Sequence, residues 1–142
     1  MEEKELLRIL AIDDNPADLE LLRLSLMDAL PEGCEFQGCS VAQNSISMLE
    51  ESDIDLIFLD YNLGAISGLE LFGQIVAAGF EIPSILLTGC GDERVAAQAI
   101  KDGMMEYIPK EFVTSSVLSN SIQSSLKKSH MLAEIKQYQV SL

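Results

Sequence analysis

Five polar residues stand where apolar runs give out. Asp13 and Asp14 follow Leu6 to Ile12, Asp60 follows Leu56 to Leu59, Thr88 closes Ile82 to Leu87, and Lys110 follows Met104 to Pro109. Gathered in one place, three carboxylates repel and would be partly protonated if left alone. One lysine ammonium and one Mg²⁺ restore neutrality. Hard carboxylate oxygens suit that ion, which keeps positions for water and a phosphate oxygen. No His or Cys lies at a spacing that would favour zinc. A carboxylate beside such an ion, an ammonium and a Thr hydroxyl is equipped to accept a phosphoryl group.

The elements that must position these residues can be read from the same runs. Leu6 to Ile12 is nearly continuous in apolar residues and predicts a strand buried on both faces. Asn15-Pro16 then supplies an N-cap and a first-turn proline, so a helix begins there with Leu19, Leu22, Leu26 and Leu30 at helical spacing. Cys34 to Val41 predicts a weaker strand anchored by Phe36, and Ala42 to Glu50 a short helix. Leu56 to Leu59 is the third strand, ending on Asp60 and turning through Gly64 and Gly68 into a helix over 69–78, with Leu71, Phe72, Ile75 and Val76 inward. Ile82 to Thr88, a helix over 92–102, Met104 to Pro109 and a last helix from Thr114 complete the series.

Strict alternation of five strand–helix pairs predicts an α/β flavodoxin-like (βα)5 three-layer sandwich. Its parallel five-stranded sheet takes the order 2-1-3-4-5. In that order the first and third strands are neighbours. Asp13, Asp14 and Asp60 then converge at the carboxyl edge of the sheet, where ligands bind in open α/β folds.

Composition narrows the rest. The chain has 142 residues, 48% of them hydrophobic, enough for one domain with a real core. Its net charge of −14 opposes direct nucleic-acid binding, which rests on Lys and Arg neutralising phosphates. No run has the length of a membrane span, and the acidic N-terminus is unlike a signal peptide, so a soluble cytoplasmic protein is expected. Cys34, Cys39 and Cys90 lack metal-ligand spacing and are expected as free thiols, the first two on opposite faces of their strand.

Four motifs together, Asp13-Asp14, Asp60 through Gly68, Thr88-Gly89 and Tyr107-Ile-Pro-Lys110, resemble the receiver domain of two-component response regulators over about residues 6–127. That resemblance implies that Asp60 is the phosphoacceptor, receiving phosphate from the phosphohistidine of a sensor histidine kinase or a histidine phosphotransfer protein. It implies a protein that catalyses only its own phosphorylation and dephosphorylation. Asp14 and Asp60 would ligate Mg²⁺ directly, Asp13 through water, and Asn62 through its backbone carbonyl. Lys110 would pair with the acids and the phosphoryl oxygen, Thr88 would bond the phosphoryl group, and Tyr107 would follow as the switch aromatic. Two departures stand out. Gly64 occupies a position where the family usually has Pro, predicting a looser loop. Glu111 follows Lys110 where a Pro is usual, predicting a trans Lys110–Glu111 bond.

Residues 128–142 exceed what a receiver of residues 1–127 needs. Met131, Ile135, Tyr138 and Leu142 form a short stripe, read either as an amphipathic extension or as the start of a coiled coil leading to an output domain or a dimer partner. His130 lacks the surroundings of a phosphorelay histidine and is expected on the surface. Two rival functions share some of these residues. An aspartyl-phosphate phosphatase of the haloacid-dehalogenase type would need an Asp-x-Asp nucleophile motif, which Asp13-Asp14-Asn15 does not supply. A non-phosphorylated receiver-like interaction module would not need the intact acids and Lys110.

Overall fold

A computed structural model of the chain describes residues 6–89 and 92–141. In order the elements are β1 (Leu7–Ile12), α1 (Pro16–Ala29), β2 (Cys34–Cys39), a 3-10 turn (Ala42–Asn44) running into α2 (Ser45–Glu51), β3 (Leu56–Asp60), α3 (Gly68–Ala77), β4 (Ser84–Thr88), α4 (Glu93–Asp102), β5 (Glu106–Pro109), a second 3-10 turn (Lys110–Phe112) and α5 (Ser115–Ser141). The five strands are parallel in the order 2-1-3-4-5, as expected.

The continuous apolar runs have a simple cause. Every residue of β3 and β4 is buried because helices cover both faces of the sheet. Successive residues therefore serve different cores. Ile9, Ala11, Leu56, Phe58, Ile85 and Leu87 pack with Leu19, Leu22 and Leu26 of α1 and Leu118 and Ile122 of α5. Leu10, Ile12, Ile57, Leu59 and Leu86 pack with Leu49 of α2, Leu71, Phe72 and Ile75 of α3 and Ala99 of α4. Each fully buried Leu, Ile or Phe contributes roughly 1.5–3 kcal/mol relative to exposure. Cys34 joins the first core and Cys39 the second, and both are free thiols. Cys90 lies outside the described residues.

Several boundaries differ from the sequence expectation. β2 stops at Cys39 rather than Val41, because the chain bends there into the 3-10 turn that opens α2. β4 begins after Pro83, whose missing N–H cannot join the ladder. Val76, expected inward, is half exposed. The buried stripe of α3 is Gly68, Leu71, Phe72 and Ile75, and Val76 lies at its rim. No cis peptide bond occurs among the described residues, so Lys110–Glu111 is trans.

α5 is one helix of 27 residues with Thr114 capping its start, where Thr114 Oγ1 accepts from the Val117 N–H at 3.2 Å. It starts beside Lys110 at the carboxyl edge of the sheet. Around Leu126 to Ala133 it passes the opposite edge, beside Leu7, Asp55 and Pro83. Met131, Ile135 and Tyr138 are more than half exposed, and Leu142 lies outside the described residues. His130 is exposed and pairs with Glu134 at 3.1 Å. Among the described residues no helix is long and apolar enough to cross a membrane.

Candidate functional site

Strand register alone assembles most of the site. Ile12 pairs with Leu59, so the residues that follow, Asp13 and Asp60, come out side by side. Asp60 pairs with Leu87, and Thr88 pairs with Pro109, which delivers Thr88 and Lys110 to the same edge. Carboxylate oxygens of Asp13, Asp14 and Asp60 lie within 4.8 Å of one another. Asp13, Asp60 and Thr88 are buried, while Asp14 is exposed. With Asn62, Thr88 and Lys110 they line one cleft of about 660 Å³.

Hydrogen bonds hold Asp13 and Lys110. The Asp13 N–H donates to the Cys39 carbonyl at 3.1 Å, and Asp13 Oδ1 accepts from the Asn15 N–H at 2.9 Å. Asn15 in turn caps α1, its Oδ1 accepting from the Ala17 N–H at 2.9 Å. Lys110 Nζ donates to Asp13 Oδ2 at 2.9 Å and lies 3.3 Å from Asp60 Oδ1.

The loop after Asp60 is fixed by its glycines. The Gly68 N–H donates to the Tyr61 carbonyl at 2.6 Å, and a Cβ on Gly68 would sit 2.3 Å from the Asp60 carbonyl oxygen. Only glycine lets α3 start against the backbone of Asp60. Ser67 caps that helix, its Oγ accepting from the Glu70 N–H at 3.1 Å. Gly64 has φ of +85°, a conformation closed to proline, whose ring fixes φ near −65°. The departure at this position is thus a differently shaped turn, in which Asn62 Oδ1 accepts from the Gly64 N–H at 3.3 Å.

Electrostatics reflect the crowding. Burial and the neighbouring Asp13 charge push the Asp60 carboxyl up to about 6, with Asp14 adding to the effect and Lys110 opposing it. Burial works to lower the Lys110 ammonium, but hydrogen bonds to Asp18 and Asp13 and the charge of Asp60 outweigh it and hold it above the ordinary lysine range. A lone ammonium therefore leaves the acids under-compensated. The cluster's donors are carboxylate oxygens throughout, a set that fits a hard divalent cation such as Mg²⁺ and not a soft metal.

Tyr107 does not line the cleft. It is half-buried against the second core, and its hydroxyl accepts from the N–H of Asp92, the N-cap of α4, at 3.1 Å. It thus ties β5 to the loop that follows Thr88. Sequence reasoning missed Asp18. Its Oδ2 accepts from Lys110 Nζ at 2.9 Å, as short as the bond to Asp13. The available signal was an acid in the first turn of the helix that leaves Asp13-Asp14, which that helix must carry to the same edge.

The family model described as the response regulator receiver domain matches residues 9–123. The response regulator protein TodT of Pseudomonas putida is 32% identical over 120 residues, 84% of this chain and 51% of TodT. The methanogenesis regulatory protein FilR1 of Methanothrix harundinacea is 33% identical over 108 residues, 72% of this chain and 24% of its own length. The chain thus spans about half of the first relative's length and a quarter of the second's. A response regulator receiver domain protein from Clostridium thermocellum superposes with a TM-score of 0.78 at 29% identity, covering 89% of this chain and 99% of that one.

Proposed function

The chain belongs to the response regulator receiver domain family of two-component signalling, and from that premise we propose that it accepts a phosphoryl group on Asp60 and switches a surface in response. The observation that carries this reading is the convergence of Asp13, Asp14, Asp60 and Lys110 on one sheet edge, with Thr88 buried in the same cleft.

An Asp60 carboxylate oxygen attacks the phosphorus of a phosphohistidine on a sensor histidine kinase or a histidine phosphotransfer protein. A P–O bond forms as the P–N bond breaks, and the imidazole leaves with the electron pair and takes up a proton. Asp14 and Asp60 would hold Mg²⁺, with Asp13 acting through water and the Asn62 carbonyl completing the protein ligands. Bound there, Mg²⁺ would supply the charge that keeps the three carboxylates ionised and would polarise the phosphoryl oxygens. Lys110 pairs with a phosphoryl oxygen, and the Thr88 hydroxyl turns to donate to another. Tyr107, released from its present contact with the α4 N-terminus, follows into the space Thr88 leaves. Phosphorylation adds about half to one negative charge and three acceptor oxygens at Asp60, and the face made by α4, β5 and α5 shifts between two pre-existing arrangements.

Residues 1–127 form the receiver in this reading, and 128–142 lead to an output domain or a homodimer contact. A cytoplasmic location fits a histidine-kinase partner, and a net charge of −14 leaves no direct role on nucleic acid. The test is incubation with acetyl phosphate and Mg²⁺, followed by intact mass. One added phosphate is expected, lost in Asp60→Asn. Turnover of a phosphate ester would favour the phosphatase reading, and no labelling a phosphate-independent interaction module.

A further inference from the structure

We propose that Asp18 is a positioning residue that competes with the phosphoryl group for Lys110, and so sets how strongly the phosphorylated state is favoured. This inference rests on the receiver function proposed above. An ammonium has three N–H bonds to offer. Lys110 directs one to Asp13 Oδ2 and one to Asp18 Oδ2, both at 2.9 Å, and only approaches Asp60 Oδ1, at 3.3 Å. The two acids that hold it are themselves fixed: Asp13 by the Asn15 N–H, and Asp18 by its place in the capped first turn of α1, where the helix end favours a carboxylate. Asp13, Asp18 and Lys110 together form a wall between the main cleft and a smaller one of about 280 Å³ along α1, which neither Asp14 nor Asp60 lines.

Charge makes the competition directional. Asp13, Asp14 and Asp60 would be balanced by Lys110 and one divalent cation, and Asp18 adds one uncompensated negative charge beside them. A phosphoryl group on Asp60 adds more, and the ammonium that would pair with its oxygens is drawn toward Asp18. Removing the Asp18 charge therefore frees Lys110 for the phosphoryl group. The same removal lowers the negative charge that attracts a bare cation and lets Lys110 lean further on Asp60. The two ligands respond in opposite directions.

The experiment measures Mg²⁺ affinity alone, and beryllofluoride affinity in saturating Mg²⁺, for the unsubstituted protein, Asp18→Asn, Asp18→Glu and Asp60→Asn, by calorimetry and amide chemical shifts. The Asp18 side chain is 37% exposed, so its ion pair is screened and the effect modest. Asp18→Asn is expected to bind beryllofluoride about three- to fivefold more tightly and Mg²⁺ about threefold more weakly, the range of a partly exposed charge pair. Asp18→Glu, which keeps the charge, should restore both constants. A merely structural role for Asp18 would weaken both ligands together, and that result, or no change in either, overturns the inference while leaving the receiver function standing. No beryllofluoride binding by the unsubstituted protein would overturn the receiver function and this inference with it. If Asp18→Asn loses its fold, judged by its melting curve, Asp18→Ser carries the same comparison.

Discussion

Asp60 is buried beside two other acids, and the consequence is measurable without any phosphodonor. Its carboxyl is raised from 3.8 to about 6, so the folded chain holds this proton more tightly than the unfolded chain does. That preference contributes stability which is fully present below about pH 4 and is lost as pH rises through about 6. In metal-free buffer with chelator, Asp60→Asn should therefore gain on the unsubstituted protein as pH rises from 4 to 7.5. The gain expected is about 2–3 kcal/mol, from about two pH units at 1.36 kcal/mol each. Urea denaturation at several pH values checks this, and a gap that stays constant would contradict it. At this scale the sequence was informative because strand ends announce themselves: Asp13, Asp60, Thr88 and Lys110 each stop an apolar run. Asp18 was not legible in that way. It ends no strand, and its partner is 92 residues away, so only the assembled edge shows the contact.

At the scale of elements, the junction of β3 and α3 is the tightest constraint. A Cβ at position 68 would meet the Asp60 carbonyl oxygen at 2.3 Å and a Leu86 methyl at 3.1 Å. Gly68→Ala must push α3 away from the strand that carries Asp60. The expected loss is about 1–3 kcal/mol, the usual range for overpacking, together with slower labelling by acetyl phosphate. A melting curve and a labelling time course test it, and an unchanged pair of values would mean the junction relaxes freely. The sequence marked Gly68 as part of a turn but could not say which backbone it approaches, because that atom belongs to a neighbouring strand end. Gly64 shows the same limit. Its divergence from the usual Pro pointed to a looser loop, and φ of +85° adds a turn shape that proline cannot take.

For the molecule as a whole, alternation of apolar runs was enough to give the strand order, since five strand–helix units with right-handed crossovers leave few arrangements. Sequence placed Val76 inward and carried β2 two residues too far, because periodicity fixes a helix face only to within a residue's turn and a strand end only where a breaker stands. The C-terminal stretch lies beyond both cores. Its ties to the rest include surface pairs, Lys128 with Glu106 at 3.4 Å and Lys136 with Glu81, a bond from Lys128 Nζ to the Met105 carbonyl at 3.3 Å, and a groove that Leu132 and Ile135 share with Phe72 and Phe80. Such pairs contribute about 0–1 kcal/mol each. A chain ending at residue 127 should accordingly lose about 1–3 kcal/mol and label as fast as the full chain. A larger loss in a denaturation curve, or impaired labelling, would show that the extension belongs to the receiver.

α5 starts next to Lys110 and runs without a break past the far edge of the sheet, some 27 residues or about 40 Å. A rod of that kind carries a compass heading as well as a length. Anything joined to its end in helical register inherits that heading. Each inserted residue swings it by about 100° and advances it about 1.5 Å, and seven together return it to nearly the same bearing about 10 Å further out.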